Sequence, residues 1–244
     1  MNKNKDPVKF LKDLVFEVEK ETKQETKDGA FLWVMHYDTW IDILGSVLNG
    51  ISQSEAGNSM IILRLMELQK TILWLQICAF SGAYRPLIRE LRFIFESFNQ
   101  AYYLDKEYEK LNITEKHLIL SKKDKELFGS KLVDKLDIKN KNEMKKLYWM
   151  LSKYSHSSYE ELKPSVIDGK VEERILFEFD IDLFNICKDL TNQVIDLAFL
   201  MTFKKYPESI ELFVSKPHSI YWLEQLNSKE TLAFLKSNMK LCRD

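Results

Sequence analysis

Three of the chain's six arginines, Arg85, Arg89 and Arg92, fall within eight residues. In a helix, they and Glu96 recur at intervals of four, three and four residues, so all four share one face. Elsewhere the chain supplies positive charge with its thirty lysines. A planar guanidinium pairs with a carboxylate or a phosphate through two hydrogen bonds, which an ammonium group does not do. This arginine stripe (Arg85, Arg89, Arg92 and Glu96) is therefore the first candidate site.

The stripe has three possible roles. Its arginines can form partly buried ion pairs with carboxylates on neighbouring helices, they can hold an anionic, phosphate-bearing ligand, or they can be exposed and have no role. Pro86 is compatible only with the first turn of a helix or with a kink, which predicts a helix that begins near Ser81. The free N–H groups of that helix end would then lie on the side of Arg85, and a helix N-terminus with an arginine is a suitable anion site.

The second candidate site lies around His156. Ser158 and Glu161 have the spacing of a capping box, which predicts that one helix ends near His156 and that another turn begins at once. The dipole at a helix C-terminus favours a protonated histidine. His156 is then a general acid or base, a phosphate contact, or a structural cap on a carbonyl group. Tyr154 and Ser155 are further ligand-binding candidates, and a place in the core is the alternative for Tyr154.

Metal chemistry has no matching pattern in this sequence. None of the histidines completes an ExxH, HxxxH or HxH motif, so the pairs needed for di-iron or zinc sites are missing. The cysteines form no CxxC pair and have no metal-ligand spacing. We therefore predict no metal and no cofactor. The histidines are His36, His117, His156 and His218.

The candidate residues must be positioned by helices. Long amphipathic runs, with only five prolines and seven glycines, predict an all-α fold in one domain over residues 1–244. The centre of the predicted multi-helix bundle is a long antiparallel pair, residues 58–80 and 81–105, joined by the short break at Ser81–Gly82. Another long helix is predicted over residues 182–206, and seven to nine helices are predicted in all.

Three segments differ from this regular pattern. Residues 105–140 are rich in charge and are predicted to form a charged helical excursion, with a weak basic face for RNA as the alternative. Residues 165–179 predict at most one marginal β-hairpin, with strands at 165–167 and 175–179. Residues 207–244 contain two prolines and predict short C-terminal helices.

Composition limits the class of protein. The net charge of −1 argues against a dedicated nucleic-acid packager. The longest uncharged stretch, Thr71–Tyr84, is shorter than the roughly 20 apolar residues that span a bilayer. The N-terminus has no apolar signal segment, and the cysteines suit a reducing compartment. We therefore predict a cytoplasmic protein without a membrane segment. The five tryptophans lie in amphipathic runs and are predicted to be mostly core residues: Trp33, Trp40, Trp74, Trp149 and Trp222.

Two segments together resemble a known pattern. Ser81 to Glu96 reads S-G-x-Y-R-x-x-x-R-E-L-R-x-x-x-E, and Leu151 to Ser158 follows as L-S-x-Y-x-H-x-S. This combination is similar to uncharacterised prokaryotic all-helical proteins that are loosely related to the HEPN superfamily. The resemblance implies a helical bundle, a homodimer and, in many members, a metal-independent ribonuclease.

The active motif of that superfamily is an arginine followed by four to six residues and a histidine. Counting back from His156, the arginine would fall where this chain has Trp149, Met150 and Leu151. An arginine from the preceding candidate helix, Arg85 or Arg89, would then have to reach His156.

The sequence therefore leaves two functions open. The first is a non-catalytic binding or interaction module, in which the arginine stripe holds a carboxylate network or a phosphate-bearing ligand such as RNA or a nucleotide. The second is a HEPN-like, metal-independent ribonuclease that uses His156 with Arg85 or Arg89. We expect the first, as a homodimer.

Overall fold

The structure is a computed structural model, which describes residues 7–26, 29–123, 126–155, 166–167, 170–171 and 179–241. Within these residues the fold is an all-α bundle, as predicted, and it contains twelve helices. They are α1 (Pro7–Glu25), α2 (Gly29–Gly50), α3 (Gln53–Gly57), α4 (Met60–Phe80), α5 (Tyr84–Glu107), α6 (Ile113–Lys122), α7 (Gly129–Lys135), α8 (Lys141–Ser155), α9 (Ile181–Lys205), α10 (Ser209–Val214), α11 (Ser219–Gln225) and α12 (Lys229–Leu241).

Helices α4 and α5 form the predicted antiparallel pair. Gly82 lies between them with a φ of 72°, a left-handed conformation that glycine adopts without steric cost. At the other end of the pair, the Asp105 carboxylate on α5 accepts hydrogen bonds from the Ser59 hydroxyl and the Met60 N–H, at 2.7 and 2.9 Å. The turn at Gly82 therefore joins the pair at one end, and the Asp105 carboxylate holds it at the other.

Helix α9 runs parallel to α5 along its whole length. Near its start, the backbone N–H of Asp180 donates to the Tyr84 hydroxyl (3.3 Å), and near its end Lys205 pairs with Glu109 just beyond α5 (2.6 Å). Between these contacts, large side chains from three helices fill the bundle interior. Fully buried examples are Leu65, Leu75, Leu87, Phe199 and Phe203.

The number of helices exceeds the predicted seven to nine. The additional helices are short, because α3, α7, α10 and α11 have only five to seven residues each. One or two turns do not establish a clear 3.6-residue periodicity. Two of them nonetheless pack into the main core, since Leu132 and Val133 of α7 and Phe213 of α10 are buried there.

A two-residue antiparallel ladder lies within the predicted hairpin segment. Val166–Ile167 pairs with Lys170–Val171, with Val166 opposite Val171. The second strand is therefore earlier in the chain than the predicted 175–179, most of which lies outside the described residues.

The predicted burial of the tryptophans is only partly correct. Trp40 is buried, but Trp74 and Trp149 are 47% and 62% exposed, so their predicted place in the core is wrong. Both lie on the outward faces of their helices.

Cys78 and Cys187 are free and buried. Among the described helices, none has the length and apolar character to span a membrane.

Candidate functional site

The start of α5 places the arginine stripe at one end of the bundle. The helix begins at Tyr84, so Pro86 lies in its first turn, where its missing N–H leaves no hydrogen bond unmade. Ala83 precedes the helix and provides no side-chain cap. Burial raises the pKa of the Tyr84 hydroxyl to about 12, which keeps that group neutral.

Arg92 is held inside the protein by several partners. Its side chain is 14% exposed, and its Nε donates to the Glu96 carboxylate at 3.1 Å. An Nη nitrogen donates to the Tyr148 hydroxyl of α8 at 3.3 Å. The guanidinium also lies over two aromatic rings, 5.4 Å from Tyr148 and 6.0 Å from Phe128. Arg92 thus joins α5 to α8 and to the segment before α7.

Gly129 completes this arrangement. Its φ is 65°, and a Cβ atom at that position would come within 2.9 Å of the Tyr148 hydroxyl oxygen. A side chain here would therefore push Tyr148 away from Arg92.

The other two arginines of the stripe point outward. Arg85 and Arg89 are both exposed, and Arg89 has no hydrogen bond or ion pair within the described part of the chain. The stripe therefore consists of an inner arginine that is used in packing and two outer arginines at the start of the helix. Beside them, the half-buried Glu90 carboxyl has a pKa above its usual value because burial disfavours its charge.

Helix α8 runs antiparallel to α5 and ends near the same end of the bundle. Tyr148 contacts Arg92, and the segment before α8 reaches the other end of α5 through the ion pair of Asp137 with Lys106 (2.8 Å). Ser155 is seven residues beyond Tyr148 on α8, and Arg85 is seven residues before Arg92 on α5. At about 1.5 Å per residue, both lie about 10 Å from the contact in the same direction.

The sequence-predicted residues on α8 have different surroundings. Tyr154 is partly buried and packs against the core, while the Lys153 ammonium lies 5.8 Å from the centre of its ring. Ser155 is the last residue of α8. The side chain of Ser155 and all of His156 lie outside the described residues.

Trp149, a predicted core residue, is exposed near the arginine stripe. Trp149 of α8 is 62% exposed, and its ring stacks edge-on against Tyr148 with ring centres 5.5 Å apart. Lys146 and Lys153, three residues before and four after Trp149, are exposed on the same face of the helix. That lysine spacing is the signal that could have revealed its exposure.

A buried charge pair was also missed. Asp105 and Lys116 are 1% and 3% exposed, and their charged atoms are 2.9 Å apart. The Asp105 carboxylate accepts hydrogen bonds at the start of α4, so it stabilises that helix end from a distant part of the chain. Nothing in the local sequence around Asp105 indicates this partner.

The arrangement offers two outward-facing guanidinium groups, an exposed indole and exposed lysines at one end of the bundle. Guanidinium and ammonium groups bind anions, and aromatic faces near cations stack on nucleotide bases. In the part of the chain that the structure describes, no group of three or more His, Cys, Asp or Glu side chains could hold a metal ion.

Comparisons of this chain with protein-family models, with curated proteins and with solved structures find no match.

Proposed function

We propose that the protein is a non-catalytic helical binding module that holds a phosphate-bearing ligand, such as RNA or a nucleotide, at the outer end of the arginine stripe. The observation that carries the proposal is the division of the stripe. Arg92 is engaged by Glu96 and Tyr148, whereas the exposed Arg89 has no hydrogen bond or ion pair within the described residues. Arg85 is exposed one helical turn before Arg89. A chain with thirty lysines needs no arginine for a purely solvated charge, so the exposed Arg89 guanidinium favours a planar anionic partner.

Exposed aromatic and lysine side chains around the arginine stripe support a nucleotide as the source of the phosphate. Trp149 and Phe93 are 62% and 51% exposed, and Lys153 is exposed on the same helix as Trp149. Aromatic faces next to cations hold single-stranded nucleic acid by stacking and charge attraction, with little dependence on sequence. Among the described residues, the Arg92 guanidinium pairs with a carboxylate of its own helix, that of Glu96.

The test separates the outer arginine from the inner one. Arg89→Ala removes an exposed side chain, so we expect an unchanged melting temperature and about tenfold weaker binding of inorganic pyrophosphate in calorimetry. Arg92→Ala removes the contact between α5 and α8, so we expect a lower melting temperature. Equal pyrophosphate affinity in wild type and Arg89→Ala would refute the binding role.

A second candidate function is a HEPN-like, metal-independent ribonuclease. It is favoured by one observation: α8 ends at Ser155, close to the level of Arg85 along the neighbouring helix. His156 follows directly in the sequence. In this alternative, His156 is the general acid or base and Arg85 or Arg89 stabilises the charge that develops on the phosphorane.

Cleavage of labelled RNAs in excess EDTA distinguishes the two functions. A ribonuclease cleaves as wild type and loses the activity as His156→Ala. A binding module leaves the RNA intact in both forms and binds it equally well with and without the histidine. Arg89→Ala lowers RNA cleavage by a ribonuclease and RNA binding by a binding module. Only His156→Ala therefore distinguishes the two functions.

We further propose that the protein is a cytoplasmic homodimer, and that a second copy covers the outer face of α4. This face exposes four large apolar side chains, Met66, Leu73, Trp74 and Ile77, at 46% to 58%. Exposed apolar patches of this kind mark interaction sites. Glu67 and Lys70 are exposed on the same face, so a symmetric contact brings opposite charges of the two copies together. Light scattering should give a dimer mass for wild type and a monomer mass for Ile77→Glu; a wild-type monomer would refute the dimer.

A further inference from the structure

A cavity of about 430 Å³ lies between α8, α9 and the start of α12. Its floor is apolar, because Met144, Leu147 and Leu197 line it and are themselves buried. The volume lies within the range of about 300 to 1,000 Å³ that is typical of small-molecule sites.

The charges around this cavity are unbalanced. Among the described residues that line it, four carry a carboxylate and one, Lys229, carries a positive charge; the four are Glu143, Asp189, Asp196 and Glu230. Asp189 is exposed and has no ion pair within the described residues. The lining therefore attracts positive charge.

Asp196 is the buried carboxylate of this lining, and a positive charge in the cavity would stabilise it most. Asp196 is 5% exposed and accepts hydrogen bonds from the backbone N–H groups of Glu230 (2.9 Å) and Thr231 (3.0 Å) at the start of α12. Asp105 has the same role at the start of α4, but it has Lys116 as a cation partner at 2.9 Å.

Asp196 has no such partner among the described residues. Burial raises the pKa of Asp196 to about 6, and the neighbouring Glu230 adds to the rise. A positive charge in the cavity would compensate this buried carboxylate, as Lys116 does for Asp105.

We propose that the cavity binds a small organic cation, a primary amine on a short alkyl chain. The alkyl chain lies on Met144, Leu147 and Leu197, and the ammonium group lies between Asp189 and Asp196. A bare metal ion does not suit the cavity, since its floor is apolar and no described group of three side chains could ligate a metal. The proposal is independent of the arginine stripe, whose ligand carries the opposite charge.

Three probes with the same four-carbon chain test the charge requirement. We expect 1,4-diaminobutane to bind saturably in calorimetry and to raise the melting temperature. The neutral 1,4-butanediol and the anionic succinate should do neither. No saturable binding of the diamine at millimolar concentration, or equal binding of the diol, would overturn the proposal.

Variants test the location. Asp189→Asn removes an exposed carboxylate that has no structural partner among the described residues, so the protein should fold and bind the diamine about fivefold more weakly. Asp13→Asn makes the same chemical change at an exposed position on α1 and should bind as wild type. Gln193→Trp places a bulky ring at the exposed edge of the cavity and should abolish binding. Wild-type affinity in both Asp189→Asn and Gln193→Trp would place the amine elsewhere and overturn the proposal.

Discussion

Replacing Lys116 by methionine should destabilise the protein strongly, although no ligand contact is involved. The Asp105 carboxylate is 1% exposed, and Lys116 is its cation partner at 2.9 Å. Methionine fills a similar volume but leaves the carboxylate buried without an opposite charge. Removing one partner of a buried pair costs about 3 to 5 kcal/mol. For a chain of this size that loss corresponds to a melting temperature about 6 to 20 °C lower.

Urea unfolding followed by helical circular dichroism measures this loss, with two comparison variants. Lys106→Met breaks the exposed pair with Asp137 and should cost less than about 1 kcal/mol. Asp105→Asn combined with Lys116→Met removes both charges and should recover part of the stability that Lys116→Met loses. A loss below 1 kcal/mol for Lys116→Met, or a double variant whose loss equals the sum of the two single losses, would refute the reasoning.

Two further predictions concern stability. Burial raises the pKa of Asp196 to about 6, so this group's contribution to stability is present below about pH 4 and is lost as the pH rises through 6. Asp196→Asn removes that dependence, so the stability of the variant relative to wild type should rise by about 2 kcal/mol between pH 4 and pH 6.5 in urea unfolding; a constant difference would contradict it. Gly129→Ala combines a φ of 65° with a 2.9 Å approach to the Tyr148 hydroxyl, so we expect a loss of about 2 kcal/mol. Adding Tyr148→Phe should recover part of that loss, and no recovery would show that the contact is unimportant.

The long helices could be predicted from the sequence because each has several turns of regular apolar spacing. The predicted pair 58–80 and 81–105 corresponds to α4 (Met60–Phe80) and α5 (Tyr84–Glu107), and the predicted helix 182–206 corresponds to α9 (Ile181–Lys205). Gly82 marks the turn between the first two. The short helix α7 has no clear local periodicity, because its stability comes from tertiary packing through Leu132 and Val133.

The candidate site was only partly predictable, because its contacts join residues that are far apart in sequence. The spacing of Arg85, Arg89 and Arg92 on one face follows from helix geometry. That Arg92 packs inward and Arg89 faces solvent depends on Tyr148, which lies 56 residues away from Arg92 in sequence. The buried role of Asp105 likewise depends on a helix end that is 45 residues away. Such long-range partners follow from the packing of the helices and not from any local pattern.

Binding of single-stranded RNA shows directly whether Arg85 and Arg89 hold a phosphate-bearing ligand. Fluorescence anisotropy with a labelled RNA oligonucleotide compares wild type, Arg85→Ala/Arg89→Ala and the control Lys131→Ala/Lys139→Ala, which removes the same charge from exposed positions elsewhere. We expect the arginine double variant to bind at least about tenfold more weakly, with a shallower salt dependence, and the lysine control to bind as wild type. Equal affinity of the two double variants would contradict the claim, because charge alone, and not the arginine stripe, would then account for binding.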